Sequence, residues 1–132
     1  QGPEGGSYAS PVATAASGAG ATAFNVTSAA STNSTNIKAS AGNVYSVTLI
    51  NTTATLYYIR FYNLASAPTC SSATGYVYTL PVPASATGAG LTVSMDVGQA
   101  FTTGIGYCLT GGPTSTDNTN AAVGIYGFVN YK

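Results

Sequence analysis

The run Asn43–Leu64, NVYSVTLINTTATLYYIRFYNL, decides the fold class. In NVYSVTLIN, alternation puts Tyr45, Val47 and Leu49 on one face and Val44, Ser46, Thr48 and Ile50 on the other. In LYYIRFYNL, Tyr57, Ile59 and Phe61 oppose Tyr58, Arg60 and Tyr62. A period of two carried by β-branched and aromatic side chains is the pattern of a half-buried strand. The polar segment NTTAT between them predicts a short hairpin connection.

The same texture extends outward from this run. GYVYTLPVP aligns Tyr76, Tyr78, Leu80 and Val82, and its Pro81 and Pro83 lack a ladder N–H, which places them at an edge or a strand end. LTVSMDV aligns Leu91, Val93, Met95 and Val97. FTTGIGYCL puts Ile105, Tyr107 and Leu109 together, with Gly104, Gly106 and Cys108 opposite, and AVGIYGFVNYK closes the chain with an aromatic strand. No segment keeps a helical period. Seven or eight short strands with Gly- and Pro-rich turns predict an all-β chain, an antiparallel β-sandwich of jelly-roll type, over residues 21–132. Residues 1–20, rich in Gly, Ala, Ser and Pro, predict a flexible or extended N-terminal arm.

Composition narrows the partners. The chain has 132 residues, of which 45% are hydrophobic and only 5% charged, and its formal net charge is zero. Lys38, Arg60 and Lys132 cannot form the basic patch that nucleic acid or an anionic membrane surface requires. No run approaches the apolar length that spans a bilayer. A near-neutral, charge-poor surface favours association, and residence in a larger assembly desolvates few charges.

Catalytic chemistry has little to work with. Histidine is absent, which removes His-based triads and Cys–His dyads and leaves two cysteines short of a zinc site. The acidic side chains are Glu4, Asp96 and Asp117, and Glu4 lies in the arm. A glycosidase pair would therefore have to be Asp96 with Asp117, whose setting reads as ordinary surface placement. GIGYCL fails as a dinucleotide fingerprint because Leu109 stands at the third glycine and no helix follows. TDNTN has too few acidic positions for an EF-hand loop. The expectation is a non-enzyme with no cofactor and no metal.

Cys108 has no local cation or helix N-terminus to activate it. Cys70 lies in APTCSSATG, whose composition exposes it. Cys70 and Cys108 are a candidate disulfide, worth on the order of 3–4 kcal/mol by loop entropy, with two unpaired thiols as the alternative. Asn25, Asn33 and Asn51 each begin an N-x-[ST] sequon, a triplet that arises by chance in such a composition. The ten tyrosines read as core and contact surface ahead of a sugar-stacking platform. The polar loop Thr114, Ser115, Thr116, Asp117 and Asn118 is the candidate contact loop.

STNSTNIKASAGNVYSVTLINTTATLYYIRFYN, followed by APT, LPVPAS, FTTGIGYCLTGG, TSTDNTNAA and the terminal NYK, resembles a β-sandwich domain of tailed-phage virion proteins. These include capsid decoration (cement) proteins, head fibres and tail-fibre-like proteins. The resemblance covers about Ser31 to Lys132, and its most specific pieces are YIRFYN, LPVPAS and FTTGIGYCLTGG. It implies a structural role on the virion exterior as a homo-oligomer, often a trimer, partnered with the major capsid or other virion proteins. It carries no catalytic or ligand residues across. Cys70 and Cys108 depart from it, standing where many relatives have apolar or small residues. Two other functions fit the residues: a fibre tip recognising a host-surface glycan, and a cellular surface adhesion domain.

Overall fold

A computed structural model describes residues 20–132. The arm expected over residues 1–20 therefore lies, apart from Gly20, outside the described residues. Eight strands follow in order: β1 Thr22–Thr27, β2 Thr35–Lys38, β3 Gly42–Asn51, β4 Tyr57–Tyr62, β5 Tyr76–Val82, β6 Ala89–Phe101, β7 Ile105–Thr110 and β8 Ile125–Tyr131. They form two antiparallel sheets of four, in the orders β1-β8-β3-β6 and β2-β7-β4-β5. The protein is all-β, a two-layer β-sandwich, as the alternation predicts.

The two inner faces meet in one core. Val26, Val47, Leu49 and Val129 come from the first sheet, and Ile59, Phe61, Ile105 and Leu109 from the second. Each of these side chains contributes roughly 1.5–3 kcal/mol by leaving water. The Phe61 ring sits at the centre, stacked on Tyr78 at 5.2 Å and tilted against Phe101 and Tyr107 at 6.3 Å. Ile105, Tyr107 and Leu109 do share the core face, with Cys108 opposite. Pro81 lies in β5, an edge strand, where its missing N–H interrupts no inner ladder.

Three readings are corrected. First, β3 and β4 belong to different sheets, so residues 51–55 cross between the layers and close no hairpin. Asn51 makes that corner. It is fully buried, its Nδ2 donates to the carbonyls of Thr55 (2.9 Å) and Val82 (3.1 Å), and its Oδ1 accepts from the Thr53 N–H (2.9 Å) and hydroxyl (2.7 Å). Alternation identifies a strand but not the sheet it joins.

Second, Val44 is buried with Val47 and Leu49, and Tyr45 leaves that face. The register to both neighbours shifts between Val44 and Ser46. On β6 the excursion is longer: Val44 faces Gln99 while Ser46 faces Ser94, so residues 95–98 bulge from the edge. Gly98 turns that bulge at φ +82°, and a Cβ there would meet the Tyr45 ring at 2.8 Å. Val97 is thereby thrown out to 87% exposure, while Leu91, Val93 and Met95 keep the half-buried face. Third, a register shift between Phe61 and Tyr62 turns Tyr76 away from Tyr78, Leu80 and Val82. It meets Tyr62 edge-on at 6.1 Å instead.

Candidate functional site: a clamped loop layer over one sheet

On strand parity, Arg60, Tyr62 and Cys108 point away from the core, yet all three are 0% exposed. Two connections cover them, residues 63–75 between β4 and β5 and residues 111–124 between β7 and β8. The first is stapled to the sheet. Cys70 is bonded to Cys108, with Cα atoms 5.9 Å apart across a separation of 38 residues. The staple therefore prevails over two free thiols. It also corrects the exposure expected of Cys70, which is 5% exposed because the bond draws its loop onto the sheet. Gly106 admits the close approach, since a Cβ there would stand 3.0 Å from the Pro68 ring.

Arg60 organises the second connection. It lies opposite Cys108 in the β4–β7 register, so the guanidinium and the disulfide are neighbours. Nη1 donates to the Thr114 carbonyl at 2.5 Å, and Nη2 donates to the carbonyls of Asp117 and of Cys70, the latter at 3.3 Å. One cation thus gathers both loops. Its Cζ stands 5.7 Å from the centre of the Tyr62 ring, whose hydroxyl donates to the Ser115 carbonyl at 3.2 Å. Burial pushes the Tyr62 phenol above its ordinary pKa, although the Arg60 charge acts the other way and Tyr76 adds to the rise.

Asp117 braces the loop from within. Its Oδ2 accepts from the Gly112 N–H (3.0 Å), the Thr119 N–H (3.2 Å) and the Thr119 hydroxyl (2.6 Å). Desolvation raises the carboxyl's pKa, but these hydrogen bonds, with one from Thr110, outweigh it and hold the group below the usual carboxylate range. Of the predicted contact residues, Thr114, Thr116 and Asn118 are exposed, while Ser115 and Asp117 are half-buried. The backbone faces inward to Arg60 and Tyr62, and the polar side chains face solvent. A surface held in one shape loses little entropy when it meets a partner.

Asp96 stands exposed on the β6 bulge of the first sheet, and Asp117 lies over the outer side of the second, so the structure does not pair them. Among the described residues no group of three His, Cys, Asp or Glu could hold a metal ion. No helix there is long and apolar enough to cross a membrane. Two of the three sequon asparagines serve the fold. Asn51 is the buried corner, and Asn33, at φ 53°, donates from Nδ2 to the carbonyls of Ala29, Ser31 and Leu109. Asn25 alone among them is exposed, on β1. Tyr78 and Tyr107 pack against or within the core, and burial pushes both phenols up. Tyr126 and Ile50 border a shallow groove of about 410 Å³ on the first sheet, with Thr48, Gly88, Gly90 and Thr92.

No family model, curated protein or solved structure matches the chain. Sequence reading gave Arg60 no part in the candidate site, because alternation places it opposite Ile59 and Phe61 and says nothing of the loops that cover that face. A signal was present: it is one of three basic residues in the chain, set inside an aromatic run.

Proposed function

We propose that this is a non-enzymatic structural protein that decorates a phage capsid from outside and acts by contact. The observation that carries the reading is the clamped loop layer. Arg60, Tyr62 and the Asp117 carboxylate fix the backbone of residues 112–119, and the disulfide fixes the neighbouring connection at Cys70, leaving hydroxyl and amide side chains outward. Such a surface suits many identical, permanent contacts with capsid subunits. Strand order adds support. The orders β1-β8-β3-β6 and β2-β7-β4-β5 are those expected of a jelly roll, an architecture used by viral capsid domains and also by lectins. The charge-poor chain fits residence in an assembly, as a homo-oligomer against the major capsid protein.

The test is the intact particle. Labelled protein is expected on the capsid exterior, and particles stripped of it are expected to lose resistance to heat and low salt. Stripped particles that survive as well as intact ones overturn the cementing role. A second reading, glycan recognition at a fibre tip, is favoured by the Tyr126 ring, 41% exposed beside the shallow groove. Glycan-array binding lost in Tyr126→Ala selects that reading, and an array with no binding removes it.

A further inference from the structure

Among the described residues four strands end the two sheets, and three of these edges are guarded against pairing with another chain. β2 is four residues long, shifts register after Asn36 and ends in Lys38. β5 carries Pro81, and β6 carries the bulge at residues 95–98 with Asp96 in it. Short length, lysine, proline and bulges are the devices that keep sheet edges from adding strands. β1, Thr22–Thr27, has none of them: it is uncharged, free of proline and in unbroken register with β8.

The direction of its free backbone groups follows from the ladder. Ser28 N–H donates to the Ile125 carbonyl at 2.9 Å, continuing the β1–β8 register. Alternation then aims the backbone groups of Val26 and Phe24 at β8, and turns the N–H and C=O of Ala23, Asn25 and Thr27 away from it. The side chains of these three residues are exposed and small or polar, so nothing among the described residues shields the row.

We propose that β1 is a self-association edge, pairing antiparallel with β1 of a second copy to join two first sheets into one. The occupant follows from register and charge. A two-fold axis at Asn25 sets Ala23 opposite the second copy's Thr27 and Phe24 opposite its Val26. Residues of like facing are thus matched, and all three edge residues are aligned for ladder bonds. Phe24, half-buried against Tyr107, gains cover from the added strand. A formal net charge of zero and an uncharged strand place no like charges across the axis. This pairing goes beyond the decoration reading and holds wherever the protein resides.

Sedimentation velocity across a concentration series tests it, with amide hydrogen exchange read on the same samples. The expected result is a monomer–dimer equilibrium in which the Ala23, Asn25 and Thr27 amides gain protection as the dimer fills. Asn25→Lys, on an exposed side chain, is expected to weaken association about tenfold, by facing two cations across the axis. Thr92→Lys, exposed on the opposite edge strand, is expected to leave it unchanged. A monomer at every concentration up to about 1 mM, the weak limit of specific pairing, overturns the proposal. So does association undiminished in Asn25→Lys with its circular dichroism unchanged, or a trimer whose three edge amides still exchange freely.

Discussion

A buried arginine with carbonyl partners is an unusual way to hold a loop, and Arg60 shows why it works. Removing a guanidinium from water is costly unless its donors are met. Its planar fork makes several donors available at once, and here they reach carbonyls on two separate connections. Arg60→Met keeps the apolar stem and deletes the donors, so the Thr114, Asp117 and Cys70 carbonyls lose a partner. The expected loss is about 1–3 kcal/mol in urea unfolding, with faster amide exchange through residues 112–119. Arg60→Lys is expected to rescue little, because one ammonium cannot reproduce the fork. A Met variant of unchanged stability and unchanged exchange would show that the covering loops stand without this clamp.

At the scale of elements, the β7–β8 connection adds a pH dependence of its own. The Asp117 carboxyl titrates below its unfolded value, which is about 3.9. Its stabilising contribution is therefore present above that value and is lost as pH falls through the lower folded pKa. Below about pH 4 the Gly112 and Thr119 amides are expected to lose protection while the core strands keep theirs. Asp117→Ala is expected to show the acid pattern already at pH 6, and amides still protected there would assign the brace to Arg60 alone. Nothing in this loop's composition announced either support. Alternation made the strands legible, as at Ile105, Tyr107 and Leu109, because side-chain direction along a strand is a local property. Sheet membership and bulges were not legible, since the Val44–Ser46 shift depends on how β3 meets β6 and β8. The site was half legible. The Thr114–Asn118 loop reads as polar, but alternation alone does not tell that Arg60 and Tyr62 lie beneath it, since their cover comes from loops distant in sequence.

The whole molecule is a sandwich with one tethered outer layer, which predicts what reduction should do. The main core lies between the sheets and includes neither cysteine. Tyr62, Cys70 and Cys108 form a separate cluster on the outside of β4 and β7, with Leu64 packed against it. Reducing the bond frees a 38-residue separation in the unfolded chain, which the loop-entropy relation values at about 3–4 kcal/mol. A domain of this size would then melt on the order of 10 °C lower. The inter-sheet contacts around Phe61 remain, so the reduced protein is expected to stay folded at 25 °C, with far-ultraviolet circular dichroism unchanged and residues 66–74 more readily cleaved by protease. Cys70→Ser with Cys108→Ser should match the reduced form. Complete unfolding on reduction would mean that the outer layer is integral to the sandwich. The loop layer and the sandwich would then be a single cooperative unit, lost together in a reducing medium.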